Sequence, residues 1–200
     1  KLISTLHRKP NIYTDFGCSN GYLTNIFADI LTPNEVNGFD HSDNIEVARS
    51  NYPDINFDYV NLNKVNNFDK KSDIISCFET MEHVGNSLNA IKNLKEASHQ
   101  GSIILISVPI EIGFIGIIKY IAKRFLLKYE LPLNCKDLEY FCALLTSKYI
   151  NQYRVNADGY GSHFGFDYRI IDEEIKLEFP NCKVEMWNKI TTRFYRIRVG

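Results

Sequence analysis

Apolar positions in the first half of the chain fall into short runs that alternate between two periods. Residues 11–15 follow Pro10, end in an acid and read as a strand. The next segment places Leu23, Ile26, Phe27, Ile30 and Leu31 on one helical face, and Thr32-Pro33-Asn34 stops it. Residues 36–40 read as a second strand, again ending in an acid. Asp43 then offers a helix cap with Glu46 three residues on, before Tyr52-Pro53 breaks the run. Residues 56–60 and 73–78 are the third and fourth strands, and residues 87–97 carry Leu88, Ile91 and Leu94 at helical spacing. After Gly101, residues 102–108 form a nearly continuous β-branched and apolar run, suited to a strand buried on both faces of a parallel sheet.

Strand and helix thus alternate from residue 11 to residue 109, the signature of a doubly wound α/β sheet. In such sheets ligands bind beyond the carboxyl ends of the strands. The back half differs. Residues 111–151 read as about two helices without a strand between them, and residues 169–179 as a helix returning to the sheet. Residues 182–187 and 194–199 are strands joined too tightly for a parallel crossover, so they pair antiparallel. The expectation is one domain over residues 1–200: a mostly parallel seven-stranded sheet, a C-terminal antiparallel hairpin, and a helical insertion over residues 111–167.

Composition changes this picture little. A net charge of −1 leaves no global footprint for nucleic acid, so no nucleic-acid partner is expected. The five cysteines show no CxxC pair, which fits reduced thiols and a cytoplasmic location. No signal peptide or spanning helix is visible, and the apolar stretch over residues 110–127 is interrupted by Glu111, Lys119, Lys123 and Arg124.

The chemistry starts at the first strand-to-helix turn, Asp15-Phe16-Gly17-Cys18-Ser19-Asn20-Gly21. Glycines there let the backbone bend sharply and approach a ligand. A dinucleotide loop needs Gly-x-Gly-x-x-Gly, but Ser19 and Tyr22 hold the second and third positions counted from Gly17. Asp15 would also repel a pyrophosphate, whereas it favours a ligand with cationic groups. This loop resembles the first motif of the class I S-adenosylmethionine-dependent methyltransferase family, an acid followed by Gly-x-Gly-x-Gly. The resemblance implies a Rossmann-like methyltransferase fold and S-adenosylmethionine as cofactor, held by Asp15, Gly17, Cys18, Ser19 and Gly21. Asp40, at the end of the second strand, is then placed to accept both ribose hydroxyls, and His41 flanks the adenosine pocket. The resemblance also implies an adenine contact near the end of the third strand, where Asn61 stands instead of the usual acid. A tight turn without a ligand is the competing reading of the loop.

After the fourth strand, Glu79-Thr80-Met81-Glu82-His83-Val84 resembles the Glu-x-x-Glu-His-Val run of small-molecule methyltransferases, including ubiquinone-type O-methyltransferases. If this run is helical, Glu79 and His83 share a face. Methyl transfer is an in-line displacement in which the protein aligns the nucleophile and excludes water. A hydroxyl nucleophile must also lose its proton, and His83 is the candidate base, with Glu79 lining the cofactor pocket and Glu79 or Glu82 orienting it. A packing role for His83 weighs equally. Tyr160 and His163 lie in the aromatic, glycine-rich segment 159–165, a candidate substrate loop or a plain surface loop. No cluster has metal-ligand spacing, so no metal is expected.

Substrate choice in this family resides in additions to the sheet, here the insertion. Its apolar residues, interleaved with lysines, read as a lid helix packed on the sheet or as a contact with a membrane surface or lipid-linked acceptor. In outline the back half resembles bacterial methyltransferases of polysaccharide biosynthesis, which implies a small-molecule or glycan hydroxyl as acceptor. The alternatives are a nucleotide-cofactor oxidoreductase and a non-catalytic, cofactor-binding partner subunit of the same fold.

Overall fold

The computed structural model describes residues 9–122, 137–154 and 163–200. Strand β1 (Ile12–Phe16) is buried at every position, as a strand with neighbours on both edges and layers on both faces must be. Around it run α1 (Tyr22–Leu31), β2 (Glu35–Asp40), α2 (Asn44–Asn51), β3 (Asn56–Tyr59), β4 (Ser72–Phe78), α3 (Ser87–Glu96) and β5 (Ser98–Pro109). The chain continues through α4 (Gly113–Ile121), α5 (Asp137–Leu145), a short 3-10 turn (Asn151–Tyr153), α6 (Tyr168–Glu178), β6 (Lys183–Lys189) and β7 (Thr192–Arg198).

The seven strands form one sheet in the order β3-β2-β1-β4-β5-β7-β6. Strands β1 to β5 are parallel, while β7 runs antiparallel to both β5 and β6, as the short connection requires. This is the doubly wound α/β sheet with an antiparallel closing hairpin that the alternation of strand and helix predicts. The chain steps outward from β1 to β3, then returns to the other side of β1 to begin β4. That reversal opens a crevice between the carboxyl ends of β1 and β4.

The main core joins Phe16, Ile75, Cys77, Ile104 and Ile106 of the sheet and Met81 of the turn after β4 to Ile91 and Leu94 of α3 and Ile171 and Ile175 of α6. Tyr13, Leu31 and Ile74, with Phe27 and Val36 against them, close the opposite face under α1. Strand β5 starts at Ser98 rather than at residue 102, because Ser98 already pairs with Ser72 and Gly101 (φ 94°) absorbs the irregularity. Asp43 does precede α2, but its backbone is already helical and its side chain makes no cap bond.

Within the insertion, the described residues include a cluster apart from the main core. Tyr120, Tyr140, Ala143, Leu144 and Ile150 form a small core of their own, with Ile112, Ile117, Phe141 and Phe164 against it. Phe114, Ile118 and Ile121 remain exposed on α4. No helix among the described residues is long and apolar enough to cross a membrane.

Candidate active site

The turn after β1 is tied to the end of β2, with the Gly17 and Cys18 N–H groups donating to the Phe39 carbonyl at 2.7 and 3.1 Å. Gly17 has φ 81°, and a Cβ there would stand 2.1 Å from Thr80 Oγ1, so both conformation and contact demand glycine. Ser19 also adopts a left-handed conformation (φ 48°), which directs its N–H to Asp40 Oδ2 at 2.8 Å. The other Asp40 oxygen accepts from Ser42 N and Ser42 Oγ, each at 2.8 Å. Three donors therefore fix this carboxylate at the mouth of the crevice.

A cavity of about 420 Å³ lies there, lined by Gly17, Ser19, Asp40, His41, Ser42 and Asn44 at one end, and by Val60, Leu62, Glu79, Thr80 and His83 at the other. This volume is ordinary for a small-molecule site. The described lining carries two carboxylates and neither Lys nor Arg. Such a pocket attracts cationic groups and repels a pyrophosphate.

Not every loop residue expected to touch a ligand faces this cavity. Asp15 is buried beneath the turn, where its carboxylate accepts from Ser76 Oγ and Thr24 Oγ1, each at 2.6 Å. Burial pushes its carboxyl up to about 6, against the pull of those two hydroxyl donors. Tyr13 Oη sits 2.7 Å from Ser76 Oγ, extending the buried chain. Cys18 turns into a cluster with Ile45, Ala48 and Phe57, and burial pushes its thiol pKa up. Gly21 (φ 78°) starts α1 where a Cβ would come within 2.7 Å of Phe57. The Asn61 side chain accepts from Asn63 N at 2.9 Å, and its neighbours Val60 and Leu62 line the cavity instead. These residues shape the pocket from behind.

At the far end the run from Glu79 to His83 is a turn rather than the helix considered above, because Glu79 takes φ 47° directly after β4. Glu79 N donates to the Ser107 carbonyl at 3.1 Å, and Ser107 Oγ donates to Glu79 Oε1 at 2.9 Å. Glu79 and His83 reach the same cavity without sharing a helix face. Between them Glu82 is fully buried, and neither carboxylate oxygen has a hydrogen-bond partner among the described residues. Burial raises its carboxyl to about 8, reinforced by Glu79 and Glu111 and opposed by Arg154.

Arg154, a residue the sequence gave no reason to single out, donates Nη2 to the Glu82 and Val84 carbonyls at 2.9 and 2.6 Å. His163 reaches the same place: its ring lies edge-on to His83, 4.4 Å between centroids. Ligand atoms of Glu82, His83 and His163 lie within 4.8 Å of one another, a grouping that the spacing along the chain did not suggest. Chain spacing hid it, because His163 comes from the far side of the insertion. Tyr160 lies outside the described residues, as does His7. His99 is a surface residue 3.3 Å from Asp73.

A family model described as a methyltransferase domain matches residues 1–142. The chain belongs to this methyltransferase domain family. The 235L protein of Invertebrate iridescent virus 6, whose name contains the word methyltransferase, is 25% identical to the methyltransferase domain over 134 residues. That match covers 63% of this chain and 50% of the viral protein, so the chain spans about half the length of the curated relative. Among solved structures, the plantazolicin methyltransferase BpumL in complex with SAH matches 100% of this chain and 80% of its own, at TM-score 0.65 and 13% identity. The PH0226 protein from Pyrococcus horikoshii OT3 matches 100% and 86%, at TM-score 0.64 and 13% identity. At these identities the likeness is one of fold.

Proposed function

We propose that the methyltransferase domain takes S-adenosylmethionine as donor and methylates a hydroxyl of a small molecule or glycan. The observation that carries this reading is the acid-lined cavity at the reversal point of the sheet, with Asp40 at one end and Glu79 and His83 at the other. S-adenosylmethionine has no phosphate and carries cationic amino and sulfonium groups, so its charge complements this lining. Asp40, already oriented by Ser19 and Ser42, accepts the two ribose hydroxyls. His41, Val60 and Leu62 border the adenosine, while Gly17 and Ser19 bring the backbone close to it. Glu79 stands where the cationic end of the donor would lie.

The donor supplies an activated methyl group, and the chain's residues align the acceptor and remove its proton. The acceptor oxygen bonds to the methyl carbon as the carbon–sulfur bond breaks. His83, at the same end of the cavity as Glu79, takes the hydroxyl proton. The test is calorimetric titration with S-adenosylhomocysteine of the wild type and of Asp40→Ala. Wild type should bind, and the variant should lose about 100-fold, or ~2.7 kcal/mol, for a charge-assisted bidentate contact. A folded wild type that ignores S-adenosylhomocysteine sinks the proposal, and binding of a reduced nicotinamide cofactor in its place would favour the oxidoreductase alternative.

A further inference from the structure

We propose that Glu82, His83 and His163 form a binding site for one divalent transition-metal ion, which holds the acceptor hydroxyl at the Glu79 end of the cavity. The acceptor half of this statement rests on the function proposed above; the ion site stands on the side chains alone.

Two independent observations meet here. The first is convergence: two imidazoles and a carboxylate, contributed by the turn after β4 and by the segment leading into α6, bring ligand atoms within 4.8 Å of one another. Tetrahedral bonds of ~2.1 Å separate ligand atoms by about 3.4 Å, so modest side-chain rotation closes the set on an ion. The second is the state of Glu82. Its side chain is fully buried, yet both oxygens lack a hydrogen-bond partner among the described residues. A buried carboxyl left this way costs free energy whether it is charged or neutral.

The nearby groups do not resolve that debt. Arg154 directs Nη2 to the backbone carbonyls of Glu82 and Val84. Glu111 is engaged by Lys119 at 3.1 Å, and Glu79 by Ser107. Both of these acids add negative potential at Glu82. A cation bound between Glu82, His83 and His163 supplies the missing partner and relieves the repulsion among three carboxylates. Two nitrogens and one oxygen suit zinc, iron, cobalt, nickel or manganese better than the all-oxygen preference of calcium or magnesium.

Three protein ligands leave positions open for a substrate oxygen, the arrangement of catalytic rather than structural sites. His83 lines the cavity, so an ion on it faces the acceptor. Coordination lowers the pKa of the bound hydroxyl. With an ion bound, this replaces the base role given to His83 above: His83 would hold the ion, and Glu79, at the same end of the cavity, would take the hydroxyl proton as the oxygen–methyl bond forms and the carbon–sulfur bond breaks.

The experiment strips the purified chain with a chelator and titrates it with Co²⁺, reading visible d–d bands, and with Zn²⁺ by calorimetry. One equivalent should bind to the wild type, with at least ~100-fold loss in Glu82→Gln and in His163→Ala. Circular dichroism and S-adenosylhomocysteine affinity report folding, and His163→Ala should keep both because His163 does not line the cofactor cavity. A wild type that binds S-adenosylhomocysteine but no Co²⁺ overturns the ion site. Retention of the metal by folded His163→Ala overturns the assignment of ligands. Metal binding lost in both variants, in a wild type that ignores S-adenosylhomocysteine, upholds the ion site while the methyl-transfer reading falls.

Discussion

The two ends of the cavity handle a carboxylate in opposite ways. At the near end Asp40 is half-exposed and its two oxygens are held by three donors, two from Ser42 beside it and one from Ser19 in the turn after β1. At the far end Glu82 is buried, without a partner among the described residues, and its surroundings come from both halves of the molecule. At the near end the carboxylate already has its protein partners in place. The far end is unfinished and has the chemistry of a site completed by something positive. Under the proposed function the near end is the cofactor subsite, and the far end, to which the insertion contributes His163, is the acceptor subsite.

Substitutions at each end should separate these roles. The largest effect is expected from Gly17→Ala, where a Cβ meets Thr80 and the residue must keep φ 81°. Overpacking and backbone strain together predict about 4 kcal/mol of destabilisation, read as a lower urea midpoint with unchanged slope. Adding Thr80→Gly should recover the steric part but not the backbone part.

Arg154→Met strikes the far end. It strips the donor from the Glu82 and Val84 carbonyls and should cost about 3 kcal/mol, with S-adenosylhomocysteine affinity kept if the two ends are independent. A matching loss of affinity would show that the far end also supports the near one.

Asp15→Asn probes the buried acid beneath the turn. Its folded carboxyl titrates at about 6 against a reference of 3.8, so the folded state holds the proton more tightly and wild-type stability falls as pH rises across that window. The variant should lack that fall and gain about 2 kcal/mol at pH 8, after allowing for one weakened hydroxyl contact. Equal pH profiles for the two proteins would refute it.

Cys18→Ala carries the smallest expectation, about 1 kcal/mol of stability from a lost buried sulfur. Cofactor affinity should not change, because the thiol packs on Ile45 and Phe57 rather than facing the cavity. A drop in affinity would place it at the ligand after all.

Much of the near end was legible because it is local. The glycine pattern, the acid at the end of each of the first two strands and the alternation of apolar periods lie within a short run, and hydrophobic periodicity reports strand and helix directly. Sequence could not say which loop residues face the ligand. Asp15 and Cys18 sit in the same motif as Gly17 and Ser19, yet point into the core, and that depends on φ at Gly17 and Ser19. Helical spacing left open whether the run from Glu79 to His83 is a helix, and pairing with Ser107 carries the strand geometry up to a turn instead.

By itself, then, the sequence determined the element order, the antiparallel closing hairpin, and a resemblance in the first loop and Asp40 to the family that the match over residues 1–142 shows. Tertiary structure alone decided that Tyr120, Tyr140 and Leu144 of the insertion share a cluster, that Arg154 anchors the turn after β4, and that His163 meets His83 beside Glu82. The reason is physical: periodicity and turn chemistry are set by neighbours along the chain, whereas a site joined across the insertion depends on the final packing of separate elements.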